Sequence, residues 1–252
     1  MNVASDVHST FLHGLMAREK VFRFKQFSVH NELSAMKVGT DGVLLGAWAD
    51  VSESCRILDI GTGTGLIALM AAQRCRAKID AVEIDDLAAS EADVNFKSSP
   101  WKERLTVINE DFISYAEKCR ERYDTIISNP PFFVRSLECP DDKRTAARHT
   151  SSLSFEQLIT GISKLLADDG NAYLITPSDS ENAIDEIVAA NSMHVINKTF
   201  VCPTVNSSPK RILWKISKSK GKLMIDELVI EIERHVYTDE YIKLTRDYYL
   251  NM

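Results

Sequence analysis

The stretch Leu58-Asp59-Ile60-Gly61-Thr62-Gly63-Thr64-Gly65-Leu66 decides the fold of this chain. An apolar run at 56–60 predicts a buried strand before the turn, and residues 66–74 predict a helix after it. Three glycines at alternate positions let the backbone pass very close to a ligand. The spacing departs from the Gly-x-Gly-x-x-Gly turn that binds nicotinamide dinucleotides, because Gly65 stands at the fifth place and Leu66 at the sixth. The turn therefore predicts a site for another kind of ligand.

Strands and helices alternate beyond this turn. Strands are predicted at 56–60, 79–83, 105–109, 123–128 and 172–176, helices at 66–74, 87–97, 112–120, 155–166 and 180–190, and extended stretches at 195–201 and 211–217. This alternation predicts an α/β fold with a doubly wound, mostly parallel, seven-stranded sheet. Ligands of such sheets bind beyond the carboxyl ends of the strands, and the glycine turn, Glu83, Asp111 and Asn129 all fall there.

The two ends of the chain carry further predicted elements. Residues 22–29 alternate between apolar and polar side chains, which predicts one strand with a buried face. Thr40-Asp41-Gly42 provides a predicted cap for a short buried helix at 43–49. Residues 225–233 alternate like an additional strand, and residues 237–250 predict a helical end.

Composition excludes several classes of protein. The 252 residues are 44% hydrophobic and 26% charged, which is typical of a globular protein. We find no apolar run of about 18 residues or more, which excludes a membrane-spanning helix, and no secretory signal at the N-terminus. The five cysteines are scattered without Cys-x-x-Cys spacing, which argues against a disulfide framework or a zinc site. We expect a cytoplasmic protein without a metal.

Basic residues are concentrated in two places despite the net charge of −6. Residues 197–222 contain no Asp or Glu and seven basic residues, namely Lys198, Lys210, Arg211, Lys215, Lys218, Lys220 and Lys222. This segment is either a phosphate-binding face or a solvated hairpin. The long loop 133–152 carries Lys143, Arg144, Arg148 and His149, and its length is typical of a lid or a substrate grip.

Ser128-Asn129-Pro130-Pro131-Phe132-Phe133 follows the predicted strand 123–128 and is the second distinctive motif. The two prolines end the strand and stiffen the turn. The side-chain oxygen of Asn129 and a backbone carbonyl can accept two hydrogen bonds from one flat –NH2 group, and an aromatic ring can stack on the ring that carries the amine. The motif predicts a receptor for a nucleobase amine or a side-chain amide. The alternative is a Pro-Pro turn with a capping Asn.

The glycine turn is similar to the Asp/Glu-x-Gly-x-Gly-x-Gly turn of the class I S-adenosylmethionine-dependent methyltransferases, which have a Rossmann-like fold. S-adenosylmethionine has no pyrophosphate, so Gly61, Gly63 and Gly65 would make room for its amino-acid moiety. Asp59 would accept a hydrogen bond from the ammonium group directly or through water. The resemblance thus implies S-adenosylmethionine as the cofactor.

Acidic residues at two further strand ends extend the predicted cofactor site. Glu83, followed by Ile84, could hold both ribose hydroxyls, whereas Asp85 could instead cap the next helix. Asp111 could accept from the adenine amine, act as a helix N-cap, or do both. Phe112 offers its backbone N–H and its ring.

A narrower resemblance covers nearly the whole chain except residues 1–20. Its motifs are Phe24-Lys25-Gln26-Phe27, Met36-Lys37-Val38-Gly39-Thr40-Asp41-Gly42, Asn129-Pro130-Pro131-Phe132-Phe133, Ala147-Arg148-His149 and Leu244-Thr245-Arg246-Asp247-Tyr248-Tyr249-Leu250. Together they resemble the bacterial tRNA(Val) adenine-37 N6-methyltransferase family. The resemblance implies methyl transfer to the exocyclic amine of an adenosine beside the tRNA anticodon. It also places Lys37 and Thr40 near the methionine end of the cofactor.

The resemblance further implies a division of roles along the chain. Residues 1–50 form an N-terminal extension that covers the cofactor site, and residues 51–252 form the catalytic domain. Catalysis is assigned to Asn129, Pro130, Pro131 and Phe132, and contact with the tRNA to Phe133, Lys143, Arg144, Arg148 and His149. We expect a monomer or a weak dimer.

The expected mechanism relies on positioning rather than on a strong base. The side-chain oxygen of Asn129 and the carbonyl of Pro130 would accept the two hydrogens of the amine, while Phe132 or Phe133 stacks on the base. Other amino-methyltransferases, acting on rRNA guanine N2 or on protein glutamine N5, use the same turn and remain open as alternatives. A nicotinamide-dependent oxidoreductase is disfavoured by Leu66, and a non-catalytic RNA-binding protein by the intact turn.

Overall fold

A computed structural model of the chain describes residues 21–34, 36–131 and 153–252. Its strands are β1 (Val21–Arg23), β2 (Ser28–His30), β3 (Arg56–Ile60), β4 (Lys78–Glu83), β5 (Leu105–Asn109), β6 (Tyr123–Ser128), β7 (Leu166–Pro177), β8 (His194–Thr204), β9 (Arg211–Ser217), β10 (Met224–Glu233) and β11 (Val236–Tyr237). Its α-helices are α1 (Thr40–Trp48), α2 (Leu66–Arg74), α3 (Asp86–Lys97), α4 (Phe112–Lys118), α5 (Phe155–Leu165), α6 (Glu181–Ala190) and α7 (Asp239–Thr245).

The central sheet has the order β11-β10-β8-β9-β7-β6-β3-β4-β5 in the described part of the chain. The strands from β5 to β7 in this order are parallel, β9 is antiparallel to both of its neighbours, and β10 is again parallel to β8. The predicted doubly wound, mostly parallel α/β fold is therefore confirmed. The sheet has nine strands rather than seven, because β10 and β11 extend its edge beyond β8.

The order of strands reverses between β3 and β6. The chain continues from β3 to β4 and β5 on one side, and then returns to add β6 and β7 on the other. Ile60 at the end of β3 pairs with Ser128 at the end of β6. The glycine turn and Asn129 therefore follow adjacent strands at the switch point, where open α/β sheets bind ligands.

Two apolar cores cover the two faces of the sheet, as a doubly wound fold requires. One core joins the sheet to α1, α2 and the C-terminal segment, with Leu69, Phe96 and Tyr248 among its members. The other core joins the sheet to α4, α5 and α6, with Phe112 and Trp214 among its members. The site at the switch point is thus built on a rigid scaffold.

The predicted single strand at 22–29 is wrong. The segment forms a hairpin in which β1 and β2 are antiparallel. Phe24 donates its backbone N–H to the carbonyl of Phe27 at 2.8 Å, and the two rings stack with centroids 4.7 Å apart. Burial of both rings thus favours a turn where alternation alone indicated extended chain.

The predicted helix starts near the chain ends also need correction. Thr40 is the first residue of α1 rather than its cap, and the N-cap is Gly39, which makes no side-chain capping bond. The C-terminal helix is limited to Asp239–Thr245 and begins after Thr238, whose hydroxyl accepts from the backbone N–H of Tyr241. Across the described segments, no helix is long and apolar enough to cross a membrane.

The N-terminal hairpin is joined to the C-terminal segment. Lys25 donates its backbone N–H to the carbonyl of Tyr248 at 2.8 Å. The Nζ of Lys25 donates to the carbonyls of Arg246 and Met252, the latter at 2.9 Å. The rings of Phe24 and Tyr249 stack at 6.0 Å. These contacts hold the two ends of the described chain together on the α1 side of the sheet.

Candidate active site

Two adjoining cavities lie at the carboxyl edge of the sheet. The α1 cavity, of about 330 Å³, lies between residues 36–42 and the glycine turn, and both Lys37 and Thr40 line it. The strand-end cavity, of about 240 Å³, is lined on its far side by Glu83 and Asp111. Four residues line both cavities, namely Met36, Gly61, Gly63 and Asn129. The structure therefore brings most of the residues predicted for cofactor binding around these two adjoining cavities.

The glycine turn adopts a conformation that favours glycine at three positions. Gly61, Gly63 and Gly65 have φ values of 68°, 57° and 82°, which residues with a Cβ rarely adopt. A Cβ on Gly65 would also meet Cε1 of Phe96 at 2.4 Å. Gly65 is thus required for packing against α3 as well as for its backbone conformation, while Gly61 and Gly63 face the two cavities.

Asp59 lies beneath the turn and does not line either cavity. The hydroxyl of Thr62 and the backbone N–H of Ala68 donate to its Oδ2 at 2.6 and 3.2 Å. Its buried Oδ1 has no hydrogen-bond partner in the described structure. Burial raises the pKa of Asp59 to about 7, although the two hydrogen bonds oppose that shift and the charge of Glu83 adds to it. Asp59 therefore anchors the turn and keeps one acceptor unused.

Glu83 connects the end of β4 to the glycine turn. Its Oε2 accepts from the backbone N–H of Gly63 at 2.8 Å, and its Oε1 accepts from that of Asp85 at 2.9 Å. Asp85 is the N-cap of α3 and accepts from Ala88 N–H at 2.8 Å, which confirms the capping alternative for that residue. Glu83 and the half-exposed Ile84 both border the strand-end cavity.

Asp111 and Phe112 lie at the start of α4, and both line the strand-end cavity. Asp111 is the N-cap, and its Oδ1 accepts from the backbone N–H of Ser114 at 3.0 Å. This cap leaves the other carboxylate oxygen for a second role. The ring of Phe112 belongs to the core and lies against α5, where a Cβ on Gly161 would come within 2.5 Å of it. The Phe112 ring is therefore mainly a packing element beneath the cavity.

Asn129 lies between the two cavities, directly after β6. The hydroxyl of the preceding Ser128 donates to the carbonyl of Ile60 at 2.8 Å and ties this strand end to β3. The Oδ1 of Asn129 is buried and has no hydrogen-bond partner in the part of the chain that the structure describes. Pro130 is buried, and Pro131 lines the strand-end cavity. An unused acceptor at this place is suited to bind a donor group.

Six predicted site residues cannot be placed. Phe132, Phe133, Lys143, Arg144, Arg148 and His149 lie outside the described residues. Their assignments to base stacking and RNA contact remain predictions from the sequence.

Glu91 on α3 holds the chain segment that enters the site, and sequence analysis missed it. Glu91 is 4% exposed, and its carboxylate accepts from three consecutive backbone N–H groups, those of Glu32, Leu33 and Ser34. Ser34 lines the strand-end cavity. One buried side chain thus determines the path of one wall of the site.

Asn95, one turn further along α3, links the same segment to the glycine turn. Its Oδ1 accepts from His30 N–H at 2.7 Å, and its Nδ2 donates to the carbonyls of His30 and Thr64 at 3.0 and 2.8 Å. Glu91 and Asn95 occupy the buried face of an otherwise amphipathic helix, beside Ala88 and Ala92. Polar residues at core positions were the signal that could have identified them.

Lys37 binds the backbone carbonyl groups of the same chain segment, residues 31–34. Its Nζ donates to the backbone carbonyls of Asn31, Glu32 and Ser34 at 2.9, 3.1 and 2.8 Å. These three bonds match the three donors of an ammonium group, so Lys37 stabilises the wall that it also lines. Thr40 is exposed beside it, and the adjacent Asp41 accepts from Arg211 Nε at 2.9 Å.

The structure does not bring the basic residues of 197–222 onto one face. Lys210 and Arg211 lie at the site edge, because Arg211 pairs with Pro177 at the carboxyl end of β7. Lys218, Lys220 and Lys222 follow the other end of β9, roughly 20 Å away for a strand of this length. Lys198 is buried and paired with Glu181 and Asp185. Of these basic residues, only Lys210 and Arg211 can act near Asn129.

Among the residues that the structure describes, no group of three or more His, Cys, Asp or Glu side chains could hold a metal ion. The lining of the two cavities offers amide and carboxylate oxygens, threonine hydroxyls, the ammonium group of Lys37, backbone groups and apolar walls.

Solved structures with low sequence identity share the fold. The crystal structure of "a predicted O-methyltransferase, protein Atu636 from Agrobacterium tumefaciens" superposes with a TM-score of 0.66 at 21% identity, covering 82% of this chain and 96% of that chain. A ribosomal protein L11 methylase from Lactobacillus delbrueckii subsp. bulgaricus gives a TM-score of 0.51 at 17% identity, with 71% and 78% coverage. These similarities support the class I methyltransferase fold.

Sequence comparisons identify the family. Residues 33–182 match the family model described as methyltransferase small domain. A protein of Bacteroides fragilis named tRNA1(Val) (adenine(37)-N6)-methyltransferase is 47% identical over 92% of this chain and 98% of its own length. Proteins of the same name from Flavobacterium johnsoniae and Trichodesmium erythraeum are 44% and 45% identical, with 92% and 91% of this chain and 100% and 97% of their own lengths covered. The chain therefore belongs to the tRNA1(Val) (adenine(37)-N6)-methyltransferase family.

Proposed function

We propose that this protein transfers a methyl group from S-adenosylmethionine to the N6 amine of adenosine 37 in a valine tRNA. The names of relatives that align with it over nearly their full lengths support this substrate. The observation that carries the chemistry is the buried Oδ1 of Asn129, which has no partner in the described structure and lies between two cavities.

The residues around the two cavities fit S-adenosylmethionine. Gly61 and Gly63 leave backbone room for the amino-acid end, near Thr40 and the segment fixed by Lys37. Two buried oxygens, Asp59 Oδ1 in β3 and Asn129 Oδ1 directly after the adjacent strand β6, have no hydrogen-bond partner among the described residues. We expect Asp59 to act through water, because it lies beneath the turn rather than in a cavity wall.

The strand-end cavity suits the nucleoside part of the cofactor. Glu83 would accept hydrogen bonds from the ribose hydroxyls, and Asp111 from the adenine amine, in addition to the backbone bonds that fix both carboxylates. Ile84 and the backbone N–H of Phe112 complete this wall in the proposal. When bound, S-adenosylmethionine supplies an electrophilic methyl group on a positively charged sulfur.

Asn129 positions the amine that receives this methyl group. An adenine amine is a poor nucleophile, because its lone pair is delocalised into the ring. Hydrogen bonds from the amine to Asn129 Oδ1 and to the Pro130 carbonyl would favour a pyramidal nitrogen with its lone pair available. With S-adenosylmethionine bound, this nitrogen would form the N–C bond as the C–S bond breaks, and it would lose one proton to solvent. Positioning supplies most of the rate enhancement, so no strong base is required.

Contact with the RNA would come from the site edge. An adenosine in an anticodon loop is unpaired, so moving it into the site costs less than extruding a paired base. Lys210 is exposed at this edge and suited to a phosphate contact. We assign stacking on the adenine to Phe132 or Phe133, and further RNA contacts to Lys143, Arg144, Arg148 and His149. Residues 1–50 would cover the bound cofactor, although residues 1–20 and 35 of this extension lie outside the described residues.

Substitution of Asn129 tests the mechanism. We expect Asn129→Ala to lower single-turnover methylation by about 100- to 1,000-fold, the usual effect of removing one positioned hydrogen-bonding group. Affinity for S-adenosylmethionine should change by less than about threefold. Asn129→Asp, which retains an acceptor oxygen, should keep measurable activity. Full activity of the alanine variant would exclude this role of Asn129.

Separate incubations with different substrate pools test which amine accepts the methyl group. Purified protein with labelled S-adenosylmethionine should label tRNA but not separate pools of ribosomes or release factors. Nucleoside mass spectrometry should then identify N6-methyladenosine at position 37. Labelling of rRNA guanine or of protein glutamine would instead assign the same turn to one of the alternative amines.

A further inference from the structure

A third cavity lies between the two ends of the described chain, and the proposed methyl transfer does not use it. This terminal cavity measures about 720 Å³, which is more than twice the volume of the α1 cavity. Aromatic rings, a cation and a carboxylate line it, including Phe22, Arg23, Glu231, Tyr237, Tyr241 and Tyr249. Its size is within the usual range of ligand-binding cavities.

The walls of the terminal cavity are held in place by contacts within the chain. Lys25 joins the β1–β2 hairpin to the C-terminal carbonyls, as described above. The Phe22 ring meets the Tyr249 ring edge-on at 6.3 Å, and the Tyr237 and Tyr241 rings are 5.1 Å apart. Phe22 is still 36% exposed. The cavity therefore presents aromatic surface that its own neighbours do not cover fully.

The polar groups of the terminal cavity complement a nucleotide. Aromatic rings stack on any nucleobase. Arg23 is exposed and makes no ion pair with another described residue, so it can approach a phosphate. Glu231 offers a carboxylate that can accept from the amino edge of a base.

The terminal cavity adjoins the candidate active site. Val38, Gly39 and Thr40 line both the terminal cavity and the α1 cavity. The backbone at 38–40, which has no side chain at Gly39, thus separates the terminal cavity from the α1 cavity. An RNA that places one base beside Asn129 could place a nearby unpaired base on the other side of this stretch.

We propose that the terminal cavity binds one unpaired nucleobase near the methylated adenosine in the same RNA loop. This inference rests on the proposed function, and it adds a second base-binding site to it. The other occupant to test is the chain itself, namely residues 1–20, which lie outside the described residues.

Removing bases from the RNA and rings from the protein tests this pairing directly. An anticodon stem-loop RNA is prepared with an abasic nucleotide at each loop position except 37 in turn. Its dissociation constant is measured by fluorescence anisotropy with wild-type protein and with Tyr249→Leu and Phe22→Leu. The second variant alters an exposed ring, so it keeps the test valid if the first one folds poorly. Trp101→Leu, a partly buried ring outside the cavity, is the matched control.

We expect one abasic position to weaken binding to wild-type protein by about tenfold, a typical effect of losing one base–aromatic stack. The same RNA should lose less than about twofold with Tyr249→Leu or Phe22→Leu, while Trp101→Leu should behave like wild type. Equal losses in all four proteins, or no loss at any position, would overturn the proposal. So would a Tyr249→Leu variant that unfolds at lower temperature but keeps the full abasic penalty, since the Tyr249 ring would then serve packing within the protein and not RNA binding.

The proposed function fails separately from this inference. It fails if wild-type protein does not methylate the unaltered RNA, whatever the binding measurements give. The measurements of dissociation constants need no methyl transfer, so a negative result there does not contradict the proposed reaction at Asn129.

Discussion

The backbone N–H of Gly63 donates a hydrogen bond of 2.8 Å to Oε2 of Glu83, joining the glycine turn after β3 to the end of β4. The same carboxylate accepts from Asp85 N–H through its other oxygen. Glu83 therefore has two tasks if it also binds the ribose. It fixes the shape of the turn before any ligand arrives, and it retains lone pairs that face the strand-end cavity.

Substitution of Glu83 should weaken cofactor binding more than it weakens the fold. Glu83→Ala removes an ionised acceptor from Gly63 and from the proposed ribose contact. Hydrogen bonds to charged groups contribute about 1.5–3 kcal/mol each, so affinity for S-adenosylmethionine should fall by at least about tenfold. Isothermal titration calorimetry measures this loss.

Asp85→Asn is the matched control for Glu83→Ala, because Asn is an equally good N-cap of α3. Its affinity should stay within about twofold of wild type. A similar loss in both variants would show that the helix start, rather than Glu83, determines cofactor binding.

Much of the site could be predicted because its residues follow buried strands. Apolar runs locate the strand ends to within one residue at β3, β4, β5 and β6, and the topology then brings the following residues to one edge. Glu91 and Asn95 were missed for a physical reason. Their partners are backbone groups 31 to 65 residues away, and backbone groups leave no trace in the sequence of side chains.

Asp59 should make stability depend on pH. Its pKa is raised to about 7 by burial, from an ordinary value of 3.8. The folded chain thus holds this proton more tightly than the unfolded chain. The resulting stabilisation is complete below about pH 4 and is lost as the pH rises through about 7.

Asp59→Asn should remove that dependence. Asn can still accept from Thr62 and Ala68 but does not ionise. We expect the variant to be more stable than wild type at pH 8, by up to about 4 kcal/mol, with the difference shrinking towards pH 4. Urea unfolding at both pH values measures it. An equal difference at the two pH values would contradict the raised pKa.

Glu91 should act on the cofactor through the chain segment that it holds. In Glu91→Gln, one of the three backbone N–H groups at residues 32–34 faces an amide –NH2 instead of an oxygen. Loss of one such buried bond costs about 1–3 kcal/mol. We expect the KM for S-adenosylmethionine to rise by roughly tenfold with a smaller change in kcat, and amide hydrogen exchange to increase at residues 32–34.

Asp93→Asn is the matched control for Glu91→Gln. Asp93 lies on the same helix, but it is only half-buried and pairs with Lys97 on the surface. Such a pair contributes about 0.3–0.5 kcal/mol, so KM and hydrogen exchange should not change. If Glu91→Gln lowered stability without changing KM or local exchange, Glu91 would be only a structural residue.

For the basic residues of 197–222, proximity in the sequence does not predict proximity in the structure. Lys210 and Lys222 belong to one acid-free segment, yet β9 carries the chain from the site edge to the opposite edge between them. Charge composition alone treats these two lysines as equivalent. Strand direction distinguishes them, and it could be assigned only once β9 was known to be antiparallel to β7.

Lys210 and Lys222 should therefore differ in their effect on RNA binding. Both are exposed, but of the two only Lys210 lies at the edge of the sheet where the proposed function brings the anticodon loop to Asn129. We expect Lys210→Ala to weaken tRNA binding and to reduce the slope of log affinity against log salt by about 1, as the loss of one phosphate contact predicts. Lys222→Ala should leave both quantities unchanged. Filter binding across a range of salt concentrations measures them, and equal effects of the two substitutions would mean that the tRNA extends over both edges of the sheet.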